Sequence, residues 1–284
     1  GSRTGYRLLA GCAPCQPFST YTQGRDPTKD GKWALLTAFG SLVECVKPEF
    51  VTMENVPQLK KHTVFDDFVE TLHDCGYETS INLVFGPDYG IPQARTRLVL
   101  LASRLGSIGL LPPTRSKSDY LTVADAIRGL EPLEAGEAST TDLLHRAAKL
   151  SARNLERIRA SKPGGTWKDW DQSLVTPCHQ SSSGASYSGV YGRMEWTKPA
   201  PTITTQCYAF GSGRFGHPEQ NRAITLREAA LLQTFPASYE FLAPGERFNY
   251  KRLGDLIGNA VPVRLGSVIA ESLHRHVANI SITK

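Results

Sequence analysis

The sequence predicts an α/β protein, in which helices pack on a mainly parallel sheet and a smaller, loop-rich domain follows. The first observation is the alternation of apolar runs with helical patterns over residues 6–101. The second is the increase in Pro, Gly and Ser after residue 107, where the apolar runs become shorter. The order strand, helix, strand, helix, strand is typical of layers built on a parallel sheet.

The spacing of apolar residues and the positions of Gly and Pro predict the strands and helices of residues 6–101. Residues 6–11 form an apolar run that ends in glycine, which predicts a buried strand. Residues 35–46 carry apolar side chains at helical spacing, and Pro48 ends this helix. Three further strands are predicted at residues 50–53, 81–85 and 98–101, and a second helix at 63–72, with Thr63 as its N-cap and Gly76 as its stop.

The predicted domain boundaries follow from the position at which the regular alternation of apolar strands and helices ends. Residues 1–106 form the α/β domain, residues 107–254 the loop-rich domain, and residues 255–284 a segment that returns to the first domain. Within the second domain, one helix is predicted at residues 226–234, because Thr225 and Glu228 have the spacing of a capping box.

Composition narrows the class of protein. The chain of 284 residues is 40% hydrophobic and 21% charged, which is ordinary for a soluble globular protein, and no run approaches the about 20 apolar residues of a membrane helix. The net charge of +5 favours a polyanionic partner only weakly, because the clustering of charge matters more than its sum. The start lacks the apolar core of a signal peptide, and we interpret the chain as a cytosolic protein.

The first candidate for chemistry is the segment Cys12-Ala13-Pro14-Cys15, which follows the first strand. Cysteines at this spacing occur in zinc sites, in thioredoxin-like redox pairs and around single nucleophiles. A zinc site needs a second pair of ligands, and the other four cysteines do not provide one, so we predict no metal. Two buried structural cysteines are the simplest alternative. These residues alone leave the redox pair, the nucleophile and the structural pair open.

Five segments, in family order, resemble the motifs of DNA (cytosine-5)-methyltransferases. They are residues 14–19 (PCQPFS), 54–56 (ENV), 93–97 (QARTR), 222–228 with 232–236 (RAITLRE and LQTFP), and 257–262 (IGNAVP). The resemblance covers nearly the whole chain. It implies a Rossmann-like methyltransferase domain that uses S-adenosyl-L-methionine, together with a target-recognition domain and duplex DNA between the two.

The resemblance assigns catalysis to Cys15, Glu54, Arg95 and Arg97. Cytosine C5 is too weak a nucleophile to take a methyl group unaided, and addition of a thiolate at C6 makes it enamine-like. Cys15 is expected to supply that thiolate. Glu54, protonated or sharing a proton, is expected to bind N3 and the exocyclic amine. Arg95 and Arg97 alternate in an extended segment, which predicts that they share one face, directed at cytosine O2 and nearby phosphates.

The resemblance also indicates which residues face the DNA. A target base inside a duplex must be flipped out, and residues 20–32 are predicted to form the lid that closes over it. Gln16, Ser19 and Gln93 are assigned to the substrate side, with Gln93 positioning its loop. Residues 193–205 resemble the recognition-domain signature, in which Thr202 and Thr204 are expected to shape the base pocket or the DNA-facing loop. An aromatic and basic surface nearby is expected to contact DNA, and it comprises Tyr187, Tyr191, Arg193, Arg214 and His217.

The cofactor residues implied by the resemblance are fragments of a site: Pro14, Leu35, Asn259 and Val261. The glycine-rich strand-to-helix turn with which the family normally begins is not in this sequence. We therefore expect an incomplete chain, or a partner chain that supplies those motifs.

Two other functions remain open at this point. A non-catalytic DNA-binding subunit would bind duplex DNA without reacting, and a thioredoxin-like protein would use Cys12 and Cys15 together. The interpretation that we test is a prokaryotic, nucleoid-associated methyltransferase of the restriction-modification kind.

Overall fold

The computed structural model describes residues 5–12, 34–180 and 189–282. The chain divides into two compact units that do not follow chain order. The first unit comprises Gly1–Gly86, Thr96–Pro113 and Gly266–Lys284, and the second comprises Pro87–Arg95 and Thr114–Leu265. The described part of the chain contains no helix that is both long and apolar enough to cross a membrane.

The first unit contains a four-stranded sheet. Its strands are β1 (Leu8–Gly11), β2 (Phe50–Asn55), β3 (Glu78–Phe85) and β5 (Thr96–Ser103), in the order β1-β2-β5-β3. β1 and β2 are parallel, whereas β5 is antiparallel to both β2 and β3. Three of the four strands therefore run in one direction, as the prediction of a mainly parallel sheet requires, but two of the three pairings are antiparallel. The spacing of apolar residues carries no information on strand direction, so the sequence could not predict that β5 lies antiparallel between β2 and β3.

Two helices of the first unit lie where the spacing of apolar residues predicted them. The buried face of the first helix and the N-cap residue of the second differ from the prediction. α1 (Ala34–Val46) buries Leu36, Gly40 and Val43, whereas Leu35, Leu42 and Val46 are exposed. The apolar residues that identified the helix thus lie mostly outside its buried face. α2 (Thr63–Asp74) begins at Thr63, and the N-cap is His62, without a side-chain hydrogen bond.

The second unit is loop-rich, as predicted, and its helices are short. They are α3 (Val123–Ile127), α4 (Ala152–Ala160), α5 (Pro177–Gln180), α6 (Leu226–Leu232) and α7 (Tyr250–Asn259), with a two-residue parallel pairing of β4 (Gln93–Ala94) and β6 (Ala200–Pro201). α8 (Val263–Ile282) is the last helix. α6 has the predicted capping box but ends before residue 234, because Thr234 takes a positive φ of 62°.

The boundaries of the compact units differ from the predicted domain boundaries. The first unit extends to Pro113 instead of residue 106, and it resumes at Gly266 instead of residue 255, because α7 packs against α6 in the second unit. Residues 87–95 also belong to the second unit. The assignment of residues 107–254 to target recognition stays a prediction.

The core of the second unit contains a buried ion pair. The guanidinium of Arg222 donates from Nη1 to Oε2 and from Nη2 to Oε1 of Glu228, both at 2.8 Å, and both side chains are at most 1% exposed. Burial alone would raise the pKa of Glu228, but the hydrogen bonds and charge of Arg222 outweigh it and hold this pKa below its usual value. His217, 2% exposed, lies 3.7 Å from Glu228, and burial lowers its pKa to about 4.

The depressed pKa of His217 predicts acid sensitivity of folding. The folded protein keeps this imidazole neutral, whereas the unfolded chain protonates it below its ordinary pKa of 6.5. The contribution of the neutral, buried imidazole to the free energy of unfolding is therefore complete above pH 6.5. It is lost as the pH falls from 6.5 towards about 4, and the loss amounts to up to about 3 kcal/mol. His217→Gln should flatten this part of the plot of unfolding free energy against pH, measured by urea titration with tryptophan fluorescence. His73→Gln, at an exposed position, should leave the curve unchanged, and equal curves for His217→Gln and the unmodified protein would contradict the prediction.

Candidate functional site

Several of the predicted site residues lie outside the described residues. They are Pro14, Cys15, Gln16, Ser19 and Tyr187, together with the predicted lid at residues 20–32. Their assignments stay predictions. The remaining predicted residues are divided between the two units, and each set is described within its own unit.

Glu54 and Arg97 form an ion pair in the first unit. Nε of Arg97 lies 2.9 Å from Oε1 of Glu54, and the two side chains are 13% and 12% exposed. The sheet explains the pairing, because Glu54 is opposite Val99 on β5 and residues two apart on a strand share a face. Arg97 is therefore the diagonal neighbour of Glu54 on that face. The guanidinium orients the carboxylate at the carboxyl end of β2.

Arg95 has a different environment from Arg97. It belongs to the second unit, is 6% exposed, and donates from Nη1 to the carbonyl oxygen of Ile203 at 3.0 Å. The segment before it is held by the β4–β6 pairing, and the hydroxyl of Thr202 donates to the carbonyl oxygen of Ala94 at 3.1 Å. The predicted face shared by the two arginines stays a prediction, since each has its own partners in its own unit.

Gln93 is fully buried, which agrees with a positioning role rather than with direct contact to DNA. Its Oε1 accepts the backbone N–H of Ile203 at 2.8 Å, and its Nε2 donates to Oε1 of Gln233 at 2.9 Å. Gln233, also fully buried, was not among the predicted site residues. The signal that could have identified it is the LQTFP segment, where a polar amide follows a run of apolar helix residues.

Arg193 is not placed to contact DNA. It is 4% exposed, and its guanidinium donates six hydrogen bonds, to the carbonyls of Ile158, Ser161, His217 and Gln220 and to the side chain of Asn221. His217 is buried as well. The structure assigns both residues to the interior, where their donors and acceptors satisfy loop backbone, and we remove them from the expected DNA-facing surface.

The predicted cofactor residues that the structure describes are accessible to different degrees. Leu35 is 45% exposed on α1 in the first unit. In the second unit, Asn259 is exposed at the end of α7 and Val261 is half-buried in the turn before α8. Within its own unit, each of these side chains is accessible to a small molecule, and the assignment of Leu35, Asn259 and Val261 to the cofactor stays a prediction. The expectation that further motifs complete the cofactor site also stays a prediction.

Two glycines of α7 bring this helix against the recognition signature. A Cβ built at Gly258 would lie 2.4 Å from the backbone of Thr204 and Thr205, and one at Gly254 would lie 2.3 Å from the carbonyl oxygen of Thr205. No side chain fits there. Sequence reasoning missed this role of the two glycines, although their spacing of four in an amphipathic helix is visible.

The described residues contain no group of three or more His, Cys, Asp or Glu side chains that could hold a metal ion.

Comparisons with known proteins agree with the motifs. Residues 4–275 match the family described as C-5 cytosine-specific DNA methylase. The type II methylase M.HgiDII of Herpetosiphon aurantiacus is 50% identical over 279 residues, which cover 97% of this chain and 78% of that protein. The type II methyltransferase M1.HphI of Haemophilus parahaemolyticus is 33% identical over 270 residues, which cover 94% of this chain and 68% of that protein.

A solved structure shows the same fold. The crystal structure of a protein described as a DNA modification methyltransferase, encoded within an E. coli prophage, superposes with a TM-score of 0.67 at 21% identity, over 94% of this chain and 78% of that one. The likeness confirms the predicted Rossmann-like methyltransferase fold.

The burial of the Glu54–Arg97 pair predicts strong coupling between the two side chains. In a double-mutant cycle with Glu54→Gln and Arg97→Met, each single change should destabilise the protein by about 3 kcal/mol, because it leaves a mostly buried charge. The double variant should recover part of that loss, which gives a coupling energy of about 1–3 kcal/mol by urea unfolding. The pair Arg153–Glu156 has a similar distance of 2.8 Å but is 48% and 54% exposed, and its coupling should stay below about 1 kcal/mol. Equal coupling in the two pairs would refute this account.

The close approach at Gly258 predicts opposite effects for two helix glycines. Gly258→Ala should destabilise the second unit by about 2 kcal/mol or more, since the methyl group meets backbone that cannot move aside cheaply. Gly266→Ala, at a helix position with no atom within 4 Å of the new methyl group, should stabilise by about 0.5–1 kcal/mol. Thermal unfolding of the two variants provides the comparison, and a neutral Gly258→Ala would show that α7 does not press on the Thr204–Thr205 backbone.

Proposed function

Because the chain belongs to the C-5 cytosine-specific DNA methylase family, we propose that it transfers a methyl group from S-adenosyl-L-methionine to C5 of a cytosine flipped out of a specific duplex DNA sequence. A covalent bond between Cys15 and C6 of the base is the proposed intermediate. The relatives that are named type II methyltransferases support a role in DNA modification beside a restriction enzyme in a bacterial cell.

The observation that carries the mechanism is the position of Glu54 at one edge of the sheet. β1 and β2 are parallel, with Gly11 opposite Met53, so both strands end at the same edge. Glu54 follows Met53 directly, and the sequence continues from Gly11 to Cys15 over four residues. Open α/β sheets bind ligands at the carboxyl ends of their strands. The chain connectivity supports the proposal that Cys15 and Glu54 act at the same edge of the sheet, where a base is expected.

Each side chain has one task in the proposed reaction. The Cys15 thiolate forms a bond to C6, and the electron pair of the C5–C6 double bond makes C5 nucleophilic. The cofactor, when bound, supplies the methyl group that C5 takes. A solvent base then takes the C5 proton, the C5–H electron pair re-forms the C5–C6 double bond, and the thiolate leaves C6, which restores the aromatic ring and the free enzyme.

The polar residues stabilise the charge that develops on the ring. We propose that Glu54 binds N3 and the exocyclic amine, held in orientation by Arg97. Arg95 is proposed to reach cytosine O2 or a neighbouring phosphate from the loop that Ile203 fixes. Thr202 and Thr204 are proposed to line the DNA side of the same loop. Arg97 holds Glu54 in the first unit, and the Ile203 carbonyl holds Arg95 in the second, so little local reorganisation of these side chains is expected to oppose the reaction.

The test is covalent trapping by the full-length gene product. A long PCR-made DNA with 5-fluorocytosine in place of cytosine is incubated with the protein and S-adenosyl-L-methionine. After methylation, fluorine at C5 cannot leave as a cation, so the Cys15–C6 bond should persist and give a protein–DNA band that survives denaturing electrophoresis. Bisulfite sequencing of plasmid DNA from cells that express the protein identifies the modified sequence.

Two cysteine variants distinguish the proposal from the other functions. Cys15→Ala should abolish both the adduct and methyl incorporation, whereas Cys12→Ala should retain both. Loss of activity in both variants, with thiol–disulfide exchange in the unmodified protein, would favour the thioredoxin-like function. Binding of DNA by the unmodified protein without any adduct would favour a non-catalytic subunit.

A further inference from the structure

Two buried glutamines form a continuous chain of hydrogen bonds through the second unit. Nε2 of Gln93 donates to Oε1 of Gln233 at 2.9 Å. Nε2 of Gln233 donates in turn to the carbonyl oxygens of Ile257 and Ala260, at 2.8 and 3.3 Å. On the other side, Oε1 of Gln93 accepts the N–H of Ile203 at 2.8 Å. Both glutamine side chains are fully buried.

Each end of this chain of hydrogen bonds lies beside residues with proposed roles in the reaction. At one end, the carbonyl oxygen of Ile203 accepts the guanidinium of Arg95 at 3.0 Å. At the other end, Ala260 stands between Asn259 and Val261, the residues assigned to the cofactor. The hydrogen bonds therefore connect the proposed base-contacting arginine with the proposed cofactor turn.

We propose that Gln93 and Gln233 are positioning residues that couple cofactor binding to DNA binding. An occupant that fixes residues 259–261 holds Gln233 in place, and through Gln93 and Ile203 it holds the loop that carries Arg95. Thermodynamic reciprocity requires that DNA on the Arg95 side strengthens cofactor binding by the same factor. This inference rests on the proposed function, because it takes Arg95 to contact DNA and the turn to contact the cofactor.

The chemistry of the amides favours coupling over simple core filling. The neighbouring core consists of apolar residues with no exposed surface, including Ile203, Leu232 and Ile257. A methionine of similar size would fill that space without needing any partner. A buried amide, in contrast, is unfavourable unless its donors and acceptor are satisfied, so the two ends of the chain cannot move independently without breaking hydrogen bonds.

A second, steric connection runs beside the hydrogen bonds. Gly254 and Gly258 allow α7 to lie directly against the backbone of Thr204 and Thr205, next to Ile203 in the chain. The residue after the end of α7 is Ala260, whose carbonyl Gln233 holds. A displacement of the turn at 259–261 therefore meets the recognition signature by direct contact as well as through the glutamines.

The experiment measures the affinity for S-adenosylhomocysteine with and without DNA. Isothermal titration gives the dissociation constant for the full-length protein alone and for its complex with a short duplex of the sequence found by bisulfite sequencing. In the unmodified protein, the duplex should tighten binding by about five-fold or more. In Gln233→Met and Gln93→Met this ratio should fall to near one, and the double variant should resemble the single variants, because the pair acts as one connection.

The controls separate coupling from loss of stability. Gln172→Met changes an exposed glutamine of the same unit and should leave the ratio unchanged. If Gln233→Met does not fold, Gln233→Asn tests the same point, since it keeps the amide but is too short to bridge Gln93 and Ala260. The coupling would be overturned if folded variants retain the affinity ratio of the unmodified protein. It would also be overturned if the unmodified protein binds S-adenosylhomocysteine equally well with and without DNA. Both conclusions hold even where 5-fluorocytosine DNA is trapped. Failure to trap that DNA would instead refute the proposed function.

Discussion

The position of β5 is the constraint on which the candidate site of the first unit depends. β5 lies between β2 and β3, antiparallel to both, and its residues 98–103 have no exposed surface. Because β5 enters the sheet at the edge where β2 ends, Arg97 becomes the diagonal neighbour of Glu54. A parallel β5 would begin at the opposite edge, and Glu54 would then be a mostly buried carboxylate far from that guanidinium. The Glu54–Arg97 ion pair is thus a consequence of the direction of β5, which the strong burial of this strand maintains.

The buried backbone groups of the second unit depend on side chains for their hydrogen bonds. In its described residues, the pairing of β4 with β6 covers two residues and the helices are short, so many buried carbonyls take donors from side chains instead of from regular ladders. Arginine offers five N–H donors in a rigid fork, and Arg193 and Arg222 use them on loop carbonyls and on Glu228. This explains why basic residues of a loop-rich domain are found inside. The sequence analysis had placed two of them, Arg193 and His217, on a DNA-facing surface. Net charge does not distinguish an arginine that binds a phosphate from one that binds a carbonyl.

The parts of the structure that sequence could predict are those with a local cause. The helical spacing of residues 35–46 and the capping box of Thr225 and Glu228 were confirmed because both depend on residues within a few positions of each other. The antiparallel insertion of β5, the exposed face of α1 and the separate environments of Arg95 and Arg97 depend on partners far along the chain. The resemblance to known methyltransferases assigned roles to Glu54 and Arg97 separately, and the sheet register explains why the two side chains meet. Residues 13–33, which include Cys15, lie outside this comparison.

Family motifs that are far apart in sequence meet within one compact unit, and the reason is their shared need for hydrogen bonds. Residues 93–95, 202–203, 233 and 257–260 each bring a group that the others satisfy, so a loop that would be unstable alone is stable in their presence. Replacing any one of these segments leaves donors or acceptors of the others buried and unpaired, at about 1–3 kcal/mol each. Loops outside this network can vary in length and sequence without that penalty. The proposed target-recognition region can therefore change its outer loops while the segments that support Arg95 and the proposed cofactor turn keep one arrangement.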